Sequence, residues 1–146
     1  MEDLYFYDSL QKQKRKFESL KSKEARIYVC GPTVYDDSHL GHARSAIAFD
    51  LLHRVLKAND YKVIMTKNFT DIDDKIINKM KASGQTLEEI TTFYIKRYKN
   101  DMEVLNVLPN SLEPKATENL DVMIEMIEKL LKDQTAYILD DGVYFD

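Results

Sequence analysis

Ile27-Tyr28-Val29-Cys30-Gly31-Pro32-Thr33-Val34-Tyr35-Asp36-Asp37-Ser38-His39-Leu40-Gly41-His42 leads from an apolar run, through a turn, into two histidines around a glycine at a helix start. Strand-to-helix junctions of this kind are where α/β proteins hold phosphates, because the first helical amides are unpaired donors at the positive end of the dipole. Two imidazoles added there point to an anion that is held and then changed. His39 and His42 are three apart, so they share a helix face. Each can donate to a phosphate oxygen, and as imidazolium each would stabilise charge building on phosphorus during transfer. Gly41 removes a side chain, so a flat base could lie against the backbone. A zinc site is a weaker reading, since no carboxylate pair stands near, and ordinary surface histidines are the bland one.

On either side of this junction the pattern is that of an α/β protein. Residues 26–29 are β-branched and aromatic, and Gly31-Pro32 stops them, as expected of a buried strand entering a loop. From Ser38, apolar residues Ala43, Ala46, Ile47, Phe49, Leu51, Leu52, Val55 and Leu56 recur mostly three and four apart, which predicts an amphipathic helix to about Ala58. Residues 61–66 then read as a second strand. Together these form a β-loop-α-β unit, parallel and right-handed if the strands share a sheet. Upstream, residues 4–7 are a short aromatic strand candidate, and Lys12, Lys14, Arg15 and Lys16 read as a turn-like solvated face.

Downstream, Asn68-Phe69-Thr70-Asp71 leads into a helix carrying Ile72, Ile76, Ile77 and Met80 and ended by Ser83-Gly84. Asp71 is the expected cap, with Asp73 and Asp74 in the favourable first turn; the same three acids also invite a magnesium reading. Thr86-Leu87-Glu88-Glu89 has capping-box spacing and opens a further helix with Ile90, Phe93, Tyr94, Tyr98 and Met102 as its stripe. Pro109 and Pro114 bracket a loop. Beyond it Leu120, Met123, Ile124, Ile127, Leu130 and Leu131 keep helical spacing and read as a core-facing stripe. A hairpin over residues 136–145 follows, turning at Asp140-Asp141-Gly142.

The chain has 146 residues, 44% hydrophobic and 32% charged, with a formal net charge of −4, which describes one modest globular core. No apolar run approaches the ~20 residues that span a bilayer, and the N-terminus lacks the layout of a secretory signal. A cytoplasmic protein with no membrane partner is expected. The lone Cys30 cannot form an internal disulfide. Arg44, one turn into the long helix, could reach a phosphate or pair with an acid.

Taken together, Cys30-Gly31-Pro32-Thr33-Val34-Tyr35-Asp36, His39-Leu40-Gly41-His42-Ala43-Arg44-Ser45 and Asn68-Phe69-Thr70-Asp71-Ile72-Asp73-Asp74-Lys75-Ile76-Ile77 resemble the N-terminal part of the cysteinyl-tRNA synthetase family. The HLGH tetrapeptide matches the HIGH signature of class I aminoacyl-tRNA synthetases, and the flanking segments single out the cysteine enzymes. Residues 105–114 and 142–146 fit as well, so the resemblance covers essentially the whole chain.

That resemblance implies a Rossmann-type, doubly wound parallel sheet: the first half of a nucleotide-binding catalytic domain over residues 1–110, then the start of a connective insertion, a helix and hairpin, over 111–146. It implies ATP-dependent activation of L-cysteine to cysteinyl-adenylate and transfer to tRNA(Cys). His39 and His42 would be the catalytic pair, with Thr33 and Gly41 joining them around ATP and its magnesium, and Gly31 and Thr70 near the amino acid. Cys30 would be one zinc ligand, the others lying outside this chain; a soft thiolate suits zinc, and zinc suits the substrate's sulfur over a serine hydroxyl. His53 falls on the long helix, away from any such ligand set. Nothing resembles the second class I signature, KMSKS, or a tRNA-binding helical domain, so the chain reads as an incomplete N-terminal segment, inactive alone, of a monomeric enzyme. Two alternatives remain: a ligase joining cysteine to an amino sugar by the same adenylate chemistry, and a non-catalytic nucleotide-binding remnant.

Overall fold

The computed structural model describes residues 3–145. Its N-terminal hairpin pairs β1 (Tyr5–Asp8) antiparallel with β2 (Gln13–Lys16), Tyr5 opposite Lys16. The basic residues are therefore strand, not turn, although their side chains are solvated as expected. Asp8 closes the connection by accepting from the amides of Leu10 and Gln11, and Lys12 takes the left-handed conformation at φ 53°.

The body of the fold is β3 (Glu24–Val29), α1 (Leu40–Ala58) and β4 (Lys62–Lys67). β3 and β4 are parallel and in register from Glu24 opposite Lys62 to Val29 opposite Lys67. The ladder extends beyond both strand ends, since Thr70 donates to the Pro32 carbonyl and Val34 donates to that of Thr70. On the far side of β4 the chain returns in parallel: Lys67 donates to the Leu112 carbonyl, Phe69 to that of Pro114, and Ala116 to that of Phe69. β4 is thus flanked on both sides. This is why Met65, Lys67 and Phe69, alternating along one face, are all buried.

α1 starts at Leu40, two residues later than its pattern suggested, because His39 is the N-cap. It buries Ala46, His53 and Leu56 against the sheet, while Ile47 and Leu51 stay exposed. The apolar stripe is wider than the surface it meets in this chain. After β4 come α2 (Asp74–Ser83) and α3 (Leu87–Val104), which pack on each other. The α2 cap is Asp73, which accepts from the Lys75 amide, and not Asp71. Asp71 is buried and accepts instead from the amide and hydroxyl of Thr117, at 2.9 and 2.5 Å. Gly84 ends α2 at φ 72°, and Thr86 with Glu89 forms the expected capping box of α3. Val34, Phe69 and Tyr98 make the core between sheet and α3, with Tyr94, Ile95 and Met102 packed around it.

A short 3-10 turn (Thr117–Asn119) leads into α4 (Leu120–Lys132) and the antiparallel hairpin of β5 (Ala136–Leu139) and β6 (Gly142–Phe145). The hairpin is as read from the sequence, but the α4 stripe is not a core. No α4 residue is buried; Ile124 and Met126 are 52% and 62% exposed. Amphipathic spacing specifies a face to be covered, and among the described residues only β5 and the 3-10 turn pack against the helix to any extent.

Candidate active site

The site lies where β3 and β4 end and α1 begins, at the carboxyl edge of a parallel sheet, where open α/β sheets hold ligands. Cys30 leaves β3 with its thiol exposed; the Sγ contact with the Gly31 carbonyl, at 3.8 Å, is local. Gly31 is dictated by crowding. A Cβ there would stand 1.4 Å from the Asn68 carbonyl oxygen, so only glycine lets the two strand ends meet. Asn68 completes the join, accepting from the Gly31 amide at 2.8 Å and donating to the Thr70 hydroxyl at 3.2 Å. Thr33 and Thr70 sit opposite one another as a parallel bridge, which brings the loop's proposed nucleotide residue beside its proposed amino-acid residue.

His39 and His42 cap α1 reciprocally. The His39 Nδ1 accepts from the Gly41 amide at 3.0 Å, and the His42 Nδ1 accepts from the His39 amide at 3.2 Å. The rings lie 4.1 Å apart between centroids. Because each Nδ1 accepts from a backbone N–H, the neutral rings carry their protons on Nε2, and those N–H groups are the donors left for a ligand. Imidazolium, which the sequence allowed, would set an N–H against an N–H at both caps. Burial, with the nearby charges of His39 and Lys67, also holds the His42 imidazole below its ordinary value. Gly41 serves this arrangement directly, since a Cβ would fall 2.8 Å from the His39 ring.

The loop between Cys30 and His39 is clamped from below. Lys79 on α2 donates to the Tyr35 carbonyl at 2.7 Å and to the Tyr94 hydroxyl at 2.6 Å, Lys75 lies over the Tyr35 ring, and Arg97 pairs with Asp37 at 2.6 Å. Sequence reasoning missed Lys79 and Arg97, whose helical positions look like solvated faces. It also missed Lys67, a buried cation at the end of β4. Lys67 falls one residue past the strand read from the sequence, in a strand that also carries Lys62 and Thr66, so its residue type gave no signal. Asp71, Asp73 and Asp74 do not converge, and among the described residues no three His, Cys, Asp or Glu side chains come together as a metal site.

A parallel sheet whose first crossover helix opens on HxGH at the ligand edge is the catalytic architecture of class I aminoacyl-tRNA synthetases. The same fold is found in LeuRS of Agrobacterium radiobacter K84, solved as a ternary complex with tRNA and LeuAMS: TM-score 0.67, 21% identity, covering 82% of this chain and 16% of that one. Residues 16–146 match the family model of the "tRNA synthetases class I (C) catalytic domain", and the chain belongs to that family. Its relatives include proteins named cysteine--tRNA ligase from Aliarcobacter butzleri, 64% identical over 146 residues, Nitratiruptor sp., 58% over 144, and Campylobacter lari, 56% over 143. The alignments take in 98–100% of this chain but 31% of each relative, so the chain spans about a third of their length. No helix among the described residues is long and apolar enough to cross a membrane.

Proposed function

We propose that this chain supplies the first part of the active site of a cysteine--tRNA ligase, which activates L-cysteine with ATP and passes it to tRNA(Cys). The observation that carries this is the reciprocal cap of His39 and His42 at the ligand edge of the sheet, in a chain of this family. Their Nε2–H groups would receive the ATP phosphates while the amino-acid carboxylate oxygen attacks the α-phosphorus. The bond from that phosphorus to the bridging oxygen breaks, and pyrophosphate leaves with its magnesium. Neutral donors aimed at developing phosphate charge are an electrostatic contribution that needs no proton transfer. Thr33 and Gly41 would line the nucleotide, and Gly31 and Thr70 the amino acid.

Cys30 fits a zinc site as one ligand. Its thiol is exposed at a strand end that Gly31 and Asn68 hold rigid, and a soft sulfur donor suits the metal. Zinc bound there would supply recognition of the substrate's own sulfur. The remaining donors, like the surfaces for tRNA, would come from outside the described residues. A cytoplasmic, monomeric enzyme is the accompanying reading. A division near residue 110, between a nucleotide-binding half and an insertion, is part of the proposal, with the hydrogen bonds of residues 111–116 to the β4 side carrying the first body as far as Ala116.

The test is a chimera in which residues 1–146 replace the matching segment of the Aliarcobacter butzleri relative. Cysteine-dependent ATP–pyrophosphate exchange is expected, with His39→Ala and His42→Ala each lowering it by about 100-fold or more. A folded chimera that exchanges no pyrophosphate with cysteine, or variants that exchange it at the parent rate, would overturn the assignment.

A further inference from the structure

His39 stands outside α1, with the extended backbone of an N-cap at φ −123° and ψ 172°, so the helix itself does not fix where the ring lies. The His42 ring depends on it too, because its Nδ1 accepts from the His39 amide. Both rings are thus placed by the chain that enters the helix. That chain is anchored to the sheet as far as Val34, whose amide donates to the Thr70 carbonyl and whose side chain packs in the core with Phe69 and Tyr98. Beyond it, side chains of α2 and α3 take over.

Lys79 of α2 is half-buried, and its ammonium donates at 2.7 Å to the Tyr35 carbonyl and at 2.6 Å to the Tyr94 hydroxyl of α3. It also lies 4.3 Å from the centroid of the Tyr94 ring, so one cation ties the loop to both helices. Two residues further along the loop, Asp37 pairs with the Arg97 Nε of α3 at 2.6 Å, the guanidinium standing 5.6 Å from the Phe93 ring. A charge-assisted bond drawn partly out of water holds better than an ion pair whose partners are each 53% exposed, so Lys79 is the stronger grip and Arg97 the weaker. Grips two residues apart fix the direction of a chain as well as its position. α2 and α3 pack on each other, so the two act from one support.

We propose that Lys79 and Arg97 are positioning residues for His39 and His42. Acting through Tyr35 and Asp37, they set the direction in which the loop enters α1, and so keep both Nδ1 atoms on backbone amides and both Nε2–H groups as the donors a ligand meets. The consequence for catalysis rests on the proposed activation of cysteine; the placement of the rings does not.

The 146-residue chain, labelled with nitrogen-15, tests this through its imidazole nitrogen signals at about pH 8, where ordinary histidines are neutral and the two tautomers give distinct spectra. His39 and His42 are expected as Nε2–H tautomers. Lys79→Met and Arg97→Gln should each move both toward an average of the two tautomers, Lys79→Met by more, with His53 further along α1 unmoved. Lys99→Met removes an ion pair of the same helix that reaches Glu113 and not the loop, and should leave all three histidines as they were. In the chimera, Lys79→Met should lower kcat for cysteine-dependent pyrophosphate exchange by about tenfold or more, with the KM for cysteine changed by less than about twofold. Should Lys79→Met fail to fold, Arg97→Gln decides. A parent chimera without exchange counts against the reaction alone, and the imidazole signals still decide the positioning. Signals unmoved in a folded Lys79→Met or Arg97→Gln chain, signals moved as far by Lys99→Met, or a raised KM in place of the fall in kcat overturns the proposal.

Discussion

Gly41 and His39 show how a single missing methyl can set a chemical state. The His39 ring occupies the space a Gly41 side chain would fill, and from there its Nδ1 accepts the Gly41 amide. Gly41→Ala should displace the ring, remove the cap at a cost of about 1 kcal/mol in a urea titration, and lower pyrophosphate exchange in the chimera beyond what that stability loss explains. A variant with parent stability and parent exchange would show that the ring needs no such room. Acid should act through His42 and His53, both held below their ordinary values chiefly by burial. The unfolded chain then binds protons that the folded chain resists, so stability is constant above about pH 7.5 and falls as pH drops through the ordinary histidine range. Urea midpoints measured from pH 8 to pH 5 should decline, and His42→Gln should flatten the decline; a midpoint that rises on acidification contradicts the sign. The sequence showed that these two histidines would share a face near a helix start. It could not show which ring nitrogen the backbone would engage, because that depends on His39 lying outside the helix and turning back over Gly41.

Among elements, the decisive contact is between two strand ends and not within a helix. Gly31 lies against the Asn68 backbone, and the Asn68 side chain ties Gly31 to Thr70. Gly31→Ala would force a Cβ into a carbonyl and should cost about 3 kcal/mol or more, read as a lowered thermal midpoint; tolerance within about 0.5 kcal/mol would mean the strands can part there freely. The clamp under the loop makes a subtler forecast. Lys79→Met removes the donor that holds the Tyr35 carbonyl and the Tyr94 hydroxyl, and should destabilise by about 2 kcal/mol while speeding amide exchange over residues 34–38. Exchange unchanged in that loop would sink the idea of a clamp. The β3 and β4 strands, the Thr86 start of α3 and the final hairpin were readable because local spacing and caps decide them. Asp71 was misread because a buried acid satisfied by Thr117, forty-six residues away, looks locally like a cap.

Over the whole molecule, burial is uneven. Among the described residues, β3, α1, β4, α2, α3 and the loops at the strand ends hold every buried apolar side chain except Ala136 of the hairpin, and α4 contributes none. Local stability follows local burial, so amide exchange in α4, β5 and β6 should run faster by about 100-fold or more than in β3 and β4. Equal protection across the chain would show instead that the C-terminal unit is cooperatively joined to the rest. The sequence marked which α4 positions are apolar, but periodicity carries no information about what lies opposite. The same holds for Ile47 and Leu51 on α1, and for Lys67, whose burial arises only when β4 is flanked on both sides.

The capping boxes of α1 and α3 divide the labour of a helix start in opposite ways. α3 begins with Thr86 and the acids Glu88 and Glu89, and so neutralises its own terminal field. α1 is capped by two imidazole rings, His39 accepting from the Gly41 amide and His42 from the His39 amide, and has no acid in its first turn. It is capped but electrically open: the cap is made without spending its positive pole, which stays available to whatever negative group arrives.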